Sequence, residues 1–366
     1  MLTVTRASSP PVEEYMALVR QVLESLHFTN QGPMVARLEA ELSAQLQSQD
    51  APSLQVLASA NGTLALEMAL RALGLEGKRI ITTPFTYVAT LSAILAVGAT
   101  PLFVDIDPQT LCITPETVQQ HLSEDVSAIL PVHIYGNTCD VTGFNALSES
   151  TGIPVVYDAA HSFGTTLYGK SVFSFGACAI GSFHATKIMH TAEGGCVACQ
   201  NKDLLEKLRL IRAFGHVGDT HIMPGINAKM SDLHAALGLC ILPLVEKNIL
   251  ARKTLTDLYD AQLAAMPLHY PLWRDGLKRN YAYYPIIFEN EAVLLRVQKA
   301  LREADILPRR YFYPALTRLP YAQAAWKTPC PVAENISERV LCLPMFAQMT
   351  QDDVERIVHM LGKTLL

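Results

Sequence analysis

Residues 157–195, YDAAHSFGTTLYGKSVFSFGACAIGSFHATKIMHTAEGG, decide how this 366-residue chain is read. The stretch opens at the end of an apolar, β-branched run, IPVVYD, which reads as a buried strand with Asp158 at its end. Lys187 follows 29 residues later, directly after Ser-Phe-His-Ala-Thr. Two further strand-like runs, 178–183 and 195–200, flank the loop that holds this lysine.

Outward from this block, apolar runs of strand length recur at 54–58, 79–82, 101–104, 127–132 and 154–157, mostly separated by segments of helical period. Strand, helix, strand repetition predicts an α/β fold with a mostly parallel sheet covered by helices. Before it, 12–26 and 35–46 read as helices; after it, 202–214 and a very apolar run at 231–248 do the same. Beyond about residue 251 the character changes to a helix, a strand in NYAYYPIIFE, a helix at 292–304, a Tyr-rich loop RRYFYPAL and a closing helix from Gln351. Two domains are expected: a large α/β domain, 1–250, with an N-terminal helical segment, and a smaller α+β domain, 251–366.

With half its residues hydrophobic, the chain has ample material for such cores. The formal charge of −5 and the absence of a Lys/Arg block argue against nucleic acid as a partner. The N-terminus lacks the basic start and apolar core of a signal peptide, so a soluble, cytoplasmic protein with no membrane partner is expected. Eight cysteines scattered through apolar segments suit buried reduced thiols. The pair Cys196 and Cys199 has no second pair at usable spacing and would face opposite sides of a strand, so no metal site is expected.

An acid at a strand end and a lone lysine in the next loop match what pyridoxal phosphate requires. The carboxylate keeps the pyridine nitrogen protonated so that the ring draws electrons, and the amine joins the aldehyde covalently and moves a proton. Asn61, Gly62 and Thr63 lie between a strand and a helix, where free N–H groups favour a phosphate, although a plain capped helix start reads the same way. Ser182 at its strand end can add a hydroxyl to that phosphate. Tyr87 opens a helix and is either a stacking ring or a packing residue; His161 either meets the cofactor's phenolic oxygen or is a buried histidine with one backbone partner. Residues 164–171, GTTLYGKS, fit the P-loop pattern, but five residues part Asp158 from Gly164 and the sequel is β-prone, so a surface hairpin is expected. No GxGxxG follows a strand.

NGT, TYVAT, DAAH, SFHATK followed by EGG, and GINAKMSDLHAALG occur in the order seen in sugar-nucleotide aminotransferases, and the chain resembles the DegT/StrS family over nearly its whole length. The resemblance implies a fold-type I architecture and a homodimer with shared active sites. It implies backbone contacts from Gly62 and Thr63 to the phosphate, a hydroxyl from Ser182, and Asn227 reaching that phosphate from the neighbouring subunit. Tyr87 then stacks, Asp158 pairs with the ring nitrogen, His161 sits by the phenolic oxygen and Lys187 carries the cofactor. Some members have histidine in place of the lysine and act as dehydratases; Lys187 favours amino transfer. The implied substrates are L-glutamate and a keto-sugar nucleotide. SFHATK with RRYFYPAL is most similar to the branch that makes dTDP-linked 4-amino-4,6-dideoxyglucose, with a 3-keto sugar as the alternative. His184, Tyr311 and Tyr313 are candidates to line the hexose, and by charge Arg309 or Arg310 suits the diphosphate.

Overall fold

The structure, a computed structural model, describes residues 1–48, 51–326 and 328–365. Seven of the apolar runs form β1 (Gln55–Ser59), β2 (Arg79–Thr82), β3 (Thr100–Phe103), β4 (Val126–Leu130), β5 (Val156–Asp158), β6 (Cys178–Ser182) and β7 (Gly195–Cys199). β2 pairs in parallel with β3 and β4, and β5 in parallel with β6. Parallel bridges Ile129↔Val155 and Val132↔Asp158 join the two sets edge to edge. β7 runs antiparallel between β6 and β1, so the spatial order is β3-β2-β4-β5-β6-β7-β1. Nearly every residue of these strands is buried, which is why they read as continuous apolar runs and not as alternating ones.

Helices α1 (Val12–Ser25) and α2 (Pro33–Leu46) precede the sheet, α3 (Gly62–Ala72) crosses from β1 to β2, and α4 (Val88–Ala96) from β2 to β3. The expected helix at 231–248 is instead two. Asp232–Ile241 ends in a single 3-10 turn at Leu242–Leu244, and Val245–Leu263 follows. Pro243 has no N–H to give to a regular turn and marks the break. By length and composition alone 232–263 would cross a membrane, but Asp232–Ile241 lies against α1 and α2 with Ala235, Ala236 and Leu239 buried.

The apolar side chains gather in two cores. One fills both faces of the sheet and reaches residues such as Phe312 and Ile336; the other is built from Leu255, Tyr259 and Leu263 with Tyr284, Leu294, Leu301, Leu343 and Ile357 among others, and it also takes in Leu2 from the chain start, where Leu2–Thr3 pairs with Ile306–Leu307. We place the division between a large domain, 1–250, and a small one, 251–366, within the helix Val245–Leu263, whose first residue belongs to one core and whose last belongs to the other.

The P-loop alternative is overturned. Thr166–Leu167 pairs antiparallel with Lys170–Ser171 across Tyr168 and Gly169, both with positive φ (48° and 79°), and only a single 3-10 turn follows. Cys196 and Cys199 are buried, unpaired thiols that burial pushes up to about 12 and about 11, and no cluster of metal-ligating side chains exists among the described residues.

Asp232 fastens the start of α2 to the helix Asp232–Ile241. Its carboxylate accepts the N–H groups of Met34 (3.4 Å) and Val35 (3.2 Å), and a Cβ on Gly32 would lie 2.1 Å from it. Replacing Asp232 by Ala removes the cap of a buried helix start and lowers stability by about 1–2 kcal/mol, read as a lower denaturant midpoint at constant protein concentration.

Candidate active site

The carboxyl ends of β1, β4, β5 and β6 open on one cavity of ≈ 270 Å³, where open α/β sheets bind ligands. Asp158, the last residue of β5, is buried there. Its Oδ2 accepts the hydroxyl of Thr90 (2.9 Å) and its Oδ1 accepts the N–H of Ala160 (3.1 Å). Burial raises its pKa, opposed by those two donors and by the charge of Lys187. The loop between β6 and β7 brings Lys187 to the same cavity, where Nζ donates to the phenol oxygen of Tyr283 at 3.3 Å. Burial pulls the lysine down to about 8, with Asp158 and Tyr87 acting in the opposite direction.

At the other end of the cavity the Asn61 side chain caps α3 by accepting the N–H of Leu64 (2.8 Å), which leaves Gly62 and Thr63 without intrahelical acceptors. Ser182 closes on this turn: a Cβ on Gly62 would lie 3.0 Å from the Ser182 Cβ. Gly195 presses against it from β7, where a Cβ would lie 2.5 Å from the Asn61 carbonyl carbon and 2.6 Å from the Gly62 nitrogen. The second glycine of EGG, Gly195, therefore lets β7 pass close to the helix start.

His161 is buried, and its Nδ1 accepts the N–H of Tyr135 at 3.3 Å, so the neutral ring carries its proton on Nε2. Burial and the charge of Lys187 hold its pKa well below the ordinary value. Its ring lies parallel to Phe312 at 5.5 Å. Tyr87, at the N-cap of α4, leaves its ring 59% exposed along the cavity, free to cover a planar ligand.

The residues fit pyridoxal phosphate. A buried carboxylate with a raised pKa is completed by a pyridinium N–H, a helix start with two free N–H groups and a serine suits a phosphate, and a buried amine of lowered pKa suits an aldehyde. Among the candidates for the sugar, His184, Tyr311 and Arg309 line the cavity. Arg310 and Tyr313 do not line it. Arg310 instead donates to Glu291 (2.7 Å) and the Glu338 carbonyl (2.9 Å), with its guanidinium 3.4 Å over the Tyr313 ring. Asn227 is exposed, accepts from Lys229 (2.7 Å) and lies outside the cavity of its own chain. Residues of the site that the sequence reading did not single out include Thr90, Thr186, Tyr283 and Phe312. Thr90 had a signal, because it stands three residues after Tyr87 on the same helix face.

Replacing Asp158 by Asn leaves cofactor binding detectable by absorbance but slows turnover about 10²-fold, since a neutral amide does not stabilise the ring charge. Only the neutral amine attacks an aldehyde. The rate at which cofactor-free protein captures added pyridoxal phosphate therefore rises with pH, is half-maximal near the Lys187 pKa of about 8 and levels off above it, as followed by stopped-flow absorbance.

The family model "DegT/DnrJ/EryC1/StrS aminotransferase family" matches residues 11–362. A dTDP-4-amino-4,6-dideoxy-D-glucose transaminase of Shigella dysenteriae is 36% identical over 360 residues, 97% of this chain and 96% of the relative. DesI, solved in the presence of its TDP-sugar product, superposes with a TM-score of 0.91 at 29% identity, covering 98% of this chain and 92% of DesI. Spr1654 of Streptococcus pneumoniae in its PMP form superposes with a TM-score of 0.88 at 25% identity, over 98% of this chain and 96% of that one. A match over nearly the whole length, on a fold-type I scaffold whose cofactor is pyridoxal phosphate, makes this chain a member of the DegT/DnrJ/EryC1/StrS aminotransferase family.

Proposed function

We propose that the protein moves the amino group of L-glutamate to C4 of dTDP-4-keto-6-deoxy-D-glucose, giving dTDP-4-amino-4,6-dideoxy-D-glucose for a surface polysaccharide such as an O-antigen. We propose that it does so as a cytoplasmic homodimer. The observation that carries the reading is the convergence of Lys187, Asp158 and the start of α3 in one buried cavity. The name of the Shigella relative and the TDP-sugar product of DesI support the choice of sugar.

Pyridoxal phosphate, when bound, supplies the aldehyde that carries the amino group and the ring that draws electrons from the reacting carbon. Lys187 Nζ takes the proton from the donor's α-carbon and returns one to the sugar's C4, a task suited to an amine that burial has brought near the working pH. Asp158 holds the ring nitrogen's proton, and the Nε2–H of His161 donates to the phenolic oxygen. Gly62, Thr63 and Ser182 take the phosphate, with Asn227 of the second protomer closing on it, and Tyr87 covers the ring. His184 donates to or accepts from Thr186 at 2.8 Å and stands 3.7 Å from Glu193, so it offers a polar edge for the hexose beside Tyr311. Arg309 has no ion pair among the described residues and suits the diphosphate.

Replacing Lys187 by Ala abolishes the yellow absorbance of the lysine-linked cofactor and lowers kcat by about 10³-fold or more. Incubation with glutamate and a panel of 3-keto and 4-keto sugar nucleotides, read by mass and NMR, gives the 4-amino dTDP sugar. A preference for a 3-keto sugar or another base would overturn the substrate assignment while leaving the amino transfer intact.

A further inference from the structure

Lys187 must spend part of each cycle as a free amine, and the described residues show what holds it then. Its one hydrogen bond is to the hydroxyl of Tyr283, and that hydroxyl, on a side chain only 6% exposed, makes no other. The Tyr283 ring is fixed on three sides by aromatic neighbours: His161 edge-on at 5.0 Å, Tyr311 at 5.8 Å and Tyr135 at 5.8 Å. Its backbone is anchored as firmly. Asn280, fully buried, donates to the carbonyls of His161 (2.7 Å) and Phe163 (3.0 Å) and accepts from Ala282 N (3.1 Å). Arg252 donates to the Ala282 carbonyl (3.2 Å) and to that of Met345 (2.7 Å). Even Gly136 serves this arrangement, since a Cβ there would lie 2.7 Å from the Asn280 amide oxygen.

We infer that Tyr283 is the positioning residue for the Lys187 amine: its phenol oxygen accepts from Nζ whenever the lysine is not bonded to the cofactor and keeps the amine aimed into the cavity. The inference rests on the aminotransferase reading of the site. Besides Tyr283, the titratable groups around Nζ are Asp158, Tyr87 and His161. Burial raises the Tyr283 phenol far above its ordinary value, so it stays protonated and neutral at all working pH, and its oxygen stabilises the ammonium form of the lysine. Removing that oxygen leaves the ammonium with only Asp158 and Tyr87 acting in its favour against burial.

The test is Tyr283→Phe, which keeps the ring and removes the hydroxyl. In cofactor-free protein, Lys187 is titrated by competitive acetylation across pH, with the labelled peptide quantified by mass spectrometry. The proton affinity of Lys187 falls about tenfold in Tyr283→Phe, whereas Tyr168→Phe, on the exposed 166–171 hairpin, leaves the curve unchanged. In the holoenzyme kcat falls about tenfold or more while KM for both substrates stays within about twofold. Coincident Lys187 curves in wild type and Tyr283→Phe would overturn the inference. A second measurement needs no variant: in wild-type protein labelled with ¹³Cζ-tyrosine, the Tyr283 resonance moves with the Lys187 midpoint, and a flat resonance there overturns it as well. Failure of the aminotransferase reading shows separately, as absence of cofactor on Lys187 while the titration still shifts.

Discussion

Dehydration governs Asp158 and Lys187 alike. Burial pushes the carboxyl up and the amine down, disfavouring the charge on each, and mutual attraction across the cavity works in the opposite direction. Such a balance holds only where backbone positions are unyielding. The parallel register of β5 with β6 sets Asp158 opposite Ile180, and the antiparallel insertion of β7 pins both ends of the loop that carries Lys187. Thr90 from α4 and the N–H of Ala160 then satisfy the carboxylate without neutralising it, which keeps its charge available to a cationic ring.

The phosphate end follows the same economy of backbone. A helix start offers N–H groups at no cost in side chains, provided another strand can lie close beneath it. Gly195 makes that approach possible, and Ser182 closes the gap from the neighbouring strand. The residues we assign to the cofactor thus come from β5, β6, α3 and the loop between β6 and β7, with Gly195 of β7 packed against the helix start.

Much of this was legible in the sequence because strands buried on both faces leave continuous apolar runs, and because Asp158, Lys187, NGT and EGG stand at the ends of those runs. The direction of β7 was not, since a strand's pattern is the same whichever way it runs. In NYAYYPIIFE only Tyr284–Ile287 is strand. Asn280 is diverted to clamp the His161 loop, and Tyr281 takes a positive φ of 54°, which frees Tyr283 for the cavity. Nothing in the spacing signals a contact 96 residues away from Lys187 in the chain. Arg310 and Tyr313 looked equivalent to Arg309 and Tyr311 because charge and aromaticity do not encode which side of an irregular loop a side chain occupies.

The two walls of the cavity come from different parts of the chain. Asp158, Lys187, Ser182 and the α3 turn belong to the sheet, whereas Tyr283, Arg309, Tyr311 and Phe312 arrive from segments beyond the helix Val245–Leu263 that ties both cores together. Substitution in the loop around Arg309 can therefore reshape one wall of the cavity while Asp158, Lys187, Ser182 and the α3 turn keep their places on the other.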